Sequence, residues 1–140
     1  MPKIIPFKII QLDAKSFHPI LTGRLGDDDI NLILDTGASR TVLGKHITKE
    51  FPTIECEAEE AFAAGINAQT MEVEQLEIPE ITIGESTFEN LLVFSTNLDG
   101  ISEIYQKMAG LKIDGLIGCD FLVKYKATIN FKMRKIVLYP

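Results

Sequence analysis

Short apolar and β-branched runs, separated by turn residues, recur along the whole chain. They cover residues 4–12, 17–25, 30–34, 73–78, 81–83, 87–94, 127–131 and 135–139. Runs of this kind are typical of β-strands, and the glycine and aspartate clusters between them are typical of turns. The pattern therefore predicts a mainly β protein. His18-Pro19 predicts that the second strand begins at a sheet edge or a bulge.

Two segments have helical features instead. Residues 101–108 place Ile101, Ile104, Tyr105 and Met108 on one face of a helix, and Gly110 follows as a stop signal. Residues 44–51 are polar enough for a short helix or a turn, which ends before a proline. We therefore expect an amphipathic helix over 101–108 and a shorter helical or turn segment earlier in the chain.

One carboxylate lies at the end of an apolar strand, where a charge is costly. Residues 32–39 read LILDTGAS, so Asp35 follows three apolar residues and precedes a hydroxyl residue, a glycine and two small residues. Burial disfavours an unpaired charge, and a chemical role would explain why a carboxylate is retained there. A plain turn is the alternative, because Asp accepts hydrogen bonds from amides two residues on and Gly supplies positive φ.

The segment from Leu32 to Leu43 resembles the catalytic loop of the retropepsin-like aspartic proteases, the single-lobe relatives of pepsin. Residues 115–122 (GLIGCDFL) are similar to the family's apolar-apolar-Gly element, which packs beneath the catalytic loop and leads into a short helix, here residues 121–126. Two motifs in the right order, about eighty residues apart, are more specific than either one. The resemblance implies a closed acid-protease-like β-barrel with one or two short helices.

The resemblance also implies a homodimer. At 140 residues the chain is long enough for one domain, spanning 1–140, but too short for two catalytic lobes. Asp-Thr-Gly occurs once and Asp-Ser-Gly does not occur. Aspartic protease chemistry needs two facing carboxylates, so the second one comes from another copy of the chain.

The catalytic residues implied by the resemblance are Asp35, Thr36 and Gly37. The two Asp35 carboxylates share one proton and activate a water that attacks the scissile carbonyl. The Thr36 hydroxyl bonds across the dimer to the opposite loop, and the Gly37 amide donates to the carboxylate. Ala38 and Ser39 border the groove for an extended peptide. The mechanism requires no cofactor and no metal.

Residues 59–71 (EEAFAAGINAQTM) predict a strand, a tip of small residues around Gly65 and a returning strand. By its place in the chain this hairpin resembles the flap that closes over bound peptide, which implies substrate contacts from Ala64, Gly65 and Ile66. An ordinary exposed hairpin is one alternative. A short helix is the other, because alanine favours helix.

Charge and composition bear on partners and location. The net charge is −6, and no basic run is present, which argues against nucleic acid as a partner. No apolar stretch approaches the length of a membrane span and the N-terminus does not resemble a signal peptide, so we expect no membrane partner and a cytoplasmic protein. Cys56 and Cys119 lack the spacing of a zinc site; we expect two reduced thiols, with a disulfide as the alternative.

Four further polar residues receive structural interpretations. His18 and His46 have no partner pattern and are predicted to be surface residues without a role. Asp114 is predicted to be a turn residue, and Asp120 a helix-start residue or a charge on the rim of the site.

The leading hypothesis is a homodimeric aspartic endopeptidase that hydrolyses bonds in a peptide or protein substrate. The alternative is a non-catalytic module that binds peptide or protein on the same fold, because fold and motif do not ensure a competent pair of carboxylates. Arg40 and residues 96–112, which depart from the compact viral pattern, are the features that would change dimer geometry or hold the chain as a monomer. The helix in that insertion packs on the core, lines the substrate groove or lies at the dimer interface.

Overall fold

The computed structural model describes residues 1–54 and 74–140, which form eleven strands and three helices. The strands are β1 (Lys3–Pro6), β2 (Lys8–Asp13), β3 (Ser16–Leu25), β4 (Asp28–Leu34), β5 (Val42–Gly44), β6 (Thr53–Ile54), β7 (Glu74–Ile83), β8 (Ser86–Thr96), β9 (Gly115–Ile117), β10 (Thr128–Asn130) and β11 (Lys135–Leu138). The helices are α1 (Lys45–Thr48), α2 (Asp99–Ala109) and α3 (Cys119–Lys124). Among these helices none combines the length and the apolar character that a membrane crossing requires.

Six strands close into a barrel in the order β3-β4-β9-β5-β8-β7, because β7 pairs back onto β3. The closing contact pairs Gly23 with Ile83 and Arg24 with Thr82. Gly23 is required there, since a Cβ at this position would collide with the Thr82 carbonyl oxygen. The mainly β, closed acid-protease-like barrel implied by the sequence is confirmed.

Alternation along β4 places the two faces of this strand in different surroundings. Ile30, Leu32 and Leu34 are buried in the main core inside the barrel. Ile33, between them, is half-buried and packs with Tyr105 of α2 on the opposite face. Because successive side chains point to opposite faces of a strand, β4 contributes to the core with one face and packs near α2 with the other. Asp35 is the next residue after this strand.

A second sheet, with the order β1-β11-β10, brings the two ends of the chain together. The prediction of one strand over residues 4–12 was wrong, because β1 pairs with β11 and β2 pairs with β3. The break falls at Phe7, whose N–H donates to the Arg134 carbonyl at 2.9 Å and whose side chain is buried. Pairing with a strand more than a hundred residues away is not visible in a local pattern.

The strand predicted in two parts, 73–78 and 81–83, is one strand, β7. Its antiparallel register with β8 runs through this region but gives no pair for Pro79. Pro79 has no N–H to donate to the ladder, and Asn90 on the facing strand takes a left-handed φ of 54°. Strand β7 therefore accommodates Pro79 through a local irregularity of β8 at Asn90.

The amphipathic helix predicted over 101–108 is confirmed as α2. Gly110 ends it with φ 64°, and its N–H donates to the Gln106 carbonyl at 3.0 Å. Only one residue of its apolar face is buried, namely Tyr105, which is 6% exposed. The other three, Ile101, Ile104 and Met108, are 40%, 56% and 54% exposed.

The predicted hairpin of residues 59–71, with Ala64, Gly65 and Ile66 at its tip, lies outside the described residues, as does Cys56. The other predicted strands and the short helix before Pro52 are present in the structure. The start of β3 also agrees with the prediction from His18-Pro19, since among the described strands β3 before Ile20 pairs only with β2.

Candidate active site

Asp35 directly follows β4 and opens a loop, residues 35–41, which we call the Asp35 loop. The Asp35 N–H donates to the Ile117 carbonyl at 2.9 Å, which continues the pairing of β4 with β9 by one residue. Its Oδ1 accepts a hydrogen bond from the Gly37 N–H at 2.9 Å. The residue is half-buried. The carboxylate is therefore oriented by the backbone while remaining accessible.

Gly37 leaves room for that carboxylate. A Cβ at Gly37 would lie 3.2 Å from Asp35 Oδ1, which is tighter than most contacts of this kind. Thr36, between the two residues, is exposed. Ala38, which is half-buried, and Ser39, which is exposed, follow Gly37 on the same loop. These five residues are brought together by one short loop, which the sequence motif alone predicts.

The β9 strand lies beneath the Asp35 loop, between the strands that enter and leave it. It pairs parallel with β4 and antiparallel with β5. Gly118 follows β9 at the closest approach to the loop, where a Cβ would lie 2.5 Å from the Arg40 carbonyl oxygen and 2.9 Å from that of Ala38. The packing expected for residues 115–118 is thus observed, and glycine is needed for it.

Thr41 connects the end of the Asp35 loop to the start of α3. Its side chain is fully buried, and its Oγ1 donates to Asp120 Oδ1 at 2.8 Å and accepts the Gly118 N–H at 3.1 Å. The same Asp120 oxygen accepts the Phe121 N–H at 2.8 Å. The sequence interpretation of Asp120 as a helix-start residue therefore holds. Thr41 lies within the segment that resembles the catalytic loop, but its contacts with Asp120 and Gly118 were not predicted from the sequence.

The start of α3 donates three more hydrogen bonds to carbonyls of the Asp35 loop. The Cys119 N–H donates to Ala38 at 2.8 Å, and the Asp120 N–H donates to Ser39 at 3.2 Å. The Cys119 thiol donates to the Thr36 carbonyl at 3.1 Å. Cys119 is a half-exposed free thiol. Together these contacts hold the backbone on both sides of Gly37 in one conformation.

A cavity of about 460 Å³ opens beside Asp35. Its walls come from β3, β4, α2, β9 and the end of β10. They are mostly apolar, and the lining residues are Phe17, His18, Pro19, Ile33, Leu34, Asp35, Thr36, Ile101, Tyr105, Leu116, Ile129 and Phe131. Volumes and linings of this kind are typical of ligand sites. Helix α2 therefore lines the same cavity as Asp35, and it also packs on β2.

Tyr105 is the α2 residue most affected by Asp35. Burial raises the pKa of the Tyr105 phenol, and the negative charge of Asp35 raises it further. The His18 ring lies edge-on to the tyrosine ring, with centroids 5.4 Å apart. His18, predicted to be a surface residue without a role, is half-buried, contacts Tyr105 of α2 and lines the cavity.

His46 and Asp114 form a pair that the sequence argument also missed. Asp114 is 4% exposed, its Oδ1 lies 2.7 Å from His46 Nε2, and its Oδ2 accepts the Asn31 N–H at 2.8 Å. The predictions of a surface histidine and a plain turn aspartate were wrong. Asp114 is buried because β9 begins there between β4 and β5, so its carboxylate needs partners. The pair lies at the opposite end of β9 from Gly118.

The described residues contain no group of three or more His, Cys, Asp or Glu side chains that could hold a metal ion. The chemistry present at the site is thus that of a carboxylate, backbone amides, hydroxyls and an apolar cavity.

The sequence model described as "Aspartyl protease" matches residues 21–121. The chain belongs to the aspartyl protease family. The match spans the Asp35 loop, α2 and the β9 strand, and the resemblance to the retropepsin-like members of the family is confirmed. A search of curated proteins found no significant match.

Similar solved structures include two proteases or protease-like domains. The retroviral protease-like domain of Ddi1 from Leishmania major has a TM-score of 0.53 at 12% identity, over 85% of this chain and 86% of that one. A retropepsin-like aspartic protease from Rickettsia conorii has a TM-score of 0.49 at 17% identity, over 99% of this chain and 91% of that one. At such identities the likeness to the Leishmania major domain shows the fold.

Proposed function

We propose that this member of the aspartyl protease family is an endopeptidase that works as a homodimer, with one Asp35 carboxylate from each chain. The observation that carries the proposal is the position of Asp35. It is half-buried, lines a mostly apolar cavity and is held through Oδ1 by the Gly37 amide. A carboxylate in this setting is oriented and accessible, as a general base must be.

In the dimer the two carboxylates share one proton, because two like charges a few ångströms apart do not both ionise. The ionised Asp35 removes a proton from a water, which attacks the scissile carbonyl carbon. The protonated Asp35 donates a hydrogen bond to the carbonyl oxygen and then supplies a proton to the leaving amine. The products are a carboxylic acid and an amine, and no metal or covalent intermediate is needed.

Two features of the chain are compatible with a second copy of the chain next to Asp35. Thr36 is exposed, and no described residue accepts a hydrogen bond from its hydroxyl, which is therefore available to a facing loop. Strand β10 pairs only with β11 among the described strands, and Ile129 of β10 lines the same cavity as Asp35. A partner chain paired along β10 would lie close to the cavity, as the mechanism requires.

Substrate contacts from Ala38 and Ser39, and from Ala64, Gly65 and Ile66 in the predicted flap, form part of this proposal. An extended peptide would lie across the Asp35 loop, with its side chains over the apolar cavity. Main-chain pairing with the protein then provides affinity, and the cavity walls select the side chains that enter.

The Asp35→Asn variant tests the chemistry. An amide cannot act as the base, so we expect cleavage of a mixed peptide library to fall to background while the thermal unfolding temperature stays close to that of the wild type. Asp27→Asn, in the exposed turn before β4, is the matched control and keeps full activity. Cleavage that survives Asp35→Asn moves catalysis elsewhere, and a wild type that binds peptide without cleaving it is a binding module instead.

A further inference from the structure

Helix α2 carries one buried side chain to the cavity of Asp35. We propose that Tyr105 positions the substrate, with its phenol donating a hydrogen bond to the backbone of a peptide bound beside Asp35. The inference rests on the proposed peptide site, and it assigns a role there to a residue outside both sequence motifs.

The ring of Tyr105 is held in place from several sides. It packs with Ile20 and Ile113 and meets the edge of the His18 ring. A hydrogen bond also connects helix α2 to the segment that follows it, because Ser102 Oγ accepts the Ile113 N–H at 3.2 Å. The Tyr105 carbonyl accepts the Leu111 N–H at 3.3 Å where the helix ends. A side chain fixed in this way presents its hydroxyl at a constant position, which substrate orientation requires.

The hydroxyl of Tyr105 has no hydrogen-bond partner among the described residues, although the residue is only 6% exposed. Buried tyrosine hydroxyls normally have one. In the described part of the chain, no fully buried side-chain oxygen or nitrogen lacks a partner. Tyr105 lines the cavity together with Asp35, and the proposal places its hydroxyl towards that cavity.

The phenol also keeps its proton. Burial and the Asp35 charge both raise the pKa of Tyr105, so the hydroxyl stays a donor throughout the acidic and neutral range. Two acceptors of the proposed complex lie within the cavity region, namely the Asp35 carboxylate and a peptide carbonyl. A donor beside the reacting carboxylate would hold the peptide at the distance needed for attack.

The first experiment compares Tyr105→Phe with Tyr125→Phe. Tyr125 is half-buried in a cluster with Phe88 and Phe121, away from the cavity, and serves as the matched control. We expect kcat/KM for a cleaved peptide to fall about tenfold in Tyr105→Phe, as loss of one hydrogen bond implies, and to stay unchanged in the control. Tyr105→Leu also removes the ring, so kcat/KM should fall further in that variant. A Tyr105→Phe variant with wild-type kcat/KM overturns the proposal.

A second experiment does not depend on cleavage. The chain has three tyrosines and no tryptophan, so a variant with Tyr125→Phe and Tyr139→Phe leaves Tyr105 as the single fluorophore of its kind. We expect the fluorescence of Tyr105 to change when a statine-containing peptide is added. We also expect Asp35→Asn to lower the pKa of Tyr105 towards its ordinary value of 10.0 without reaching it, because burial is the larger cause of the raised pKa.

The two experiments separate this inference from the proposed function. A fluorescence change in a protein that does not cleave peptides supports the Tyr105 contact and overturns hydrolysis. Cleavage with no fluorescence change on adding the probe overturns the Tyr105 contact and leaves hydrolysis standing.

Discussion

At the scale of single residues, the Asp35 site depends on side chains that never meet the cavity. Thr41 is fully buried and uses one hydroxyl both to donate to Asp120 and to accept from Gly118. The two contacts join chain segments 79 and 77 residues apart. The Asp35 loop is thus held at its far end by a polar network inside an apolar region, where each unpaired group would be costly.

Thr41→Val tests this network by replacing the hydroxyl with a methyl group of similar size. The Gly118 N–H loses its acceptor and one Asp120 oxygen loses a donor, so we expect the free energy of unfolding to fall by about 1–3 kcal/mol. Urea denaturation measures the change. Thr41→Ser keeps the hydroxyl, so its free energy of unfolding should fall much less. Equal decreases in the two variants would mean that packing of the methyl group matters instead.

The residue scale also shows how far the sequence could be interpreted locally. Asp35 and Gly37 form their hydrogen bond within one short motif, so the motif predicts their geometry. His46 and Asp114 lie 68 residues apart, and the sequence was interpreted without pairing them. A partner that arrives from a distant strand leaves no trace in the local pattern.

At the scale of elements, β9 and α3 act as a support beneath the Asp35 loop. The support is close because Gly118 has no side chain, and because the backbone at the start of α3 donates to the Ala38 and Ser39 carbonyls. The sequence resemblance predicted this element and its place. It did not predict Tyr105 on α2, because an amphipathic pattern marks an apolar face without telling which residue of that face is covered.

Gly118→Ala and Gly100→Ala form a matched pair that tests the support. An added Cβ at Gly118 meets the Arg40 carbonyl oxygen at 2.5 Å, so the backbone must shift and we expect a loss of about 1–3 kcal/mol in stability together with reduced peptide cleavage. At Gly100, inside α2, nothing lies within 4 Å of the added atom.

Gly100→Ala should therefore leave cleavage unchanged and stabilise the protein by about 0.5–1 kcal/mol, since alanine favours helix. Thermal unfolding and a cleavage assay on both variants provide the measurements. If Gly118→Ala has full stability and activity, the close contact with the Asp35 loop is not needed.

At the scale of the whole molecule, Asp35 is the one carboxylate that lines the cavity among the residues the structure describes. The second carboxylate of the proposed mechanism then depends on assembly. A dimer should sediment with twice the 15.6 kDa mass of one chain. A protein that stays monomeric at every concentration would contradict the proposed mechanism.

Mixing the wild type with Asp35→Asn tests the shared site more directly. After unfolding and refolding together in equal amounts, random pairing leaves about one quarter of the dimers with two Asp35 carboxylates. We therefore expect activity to fall to about a quarter of that of the same total amount of wild type. A fall to only one half would mean that each chain acts alone.

What the sequence by itself determined is local. The strand that leads to Asp35, the stop of α2 at Gly110 and the Asp35 motif all depend on neighbouring residues, and each was predicted from them. The tertiary structure decided which distant segments meet: β1 with β11, Thr41 with Asp120, and Tyr105 with the cavity of Asp35. These contacts result from closing a barrel, which brings together residues whose separation along the chain carries no periodic signal.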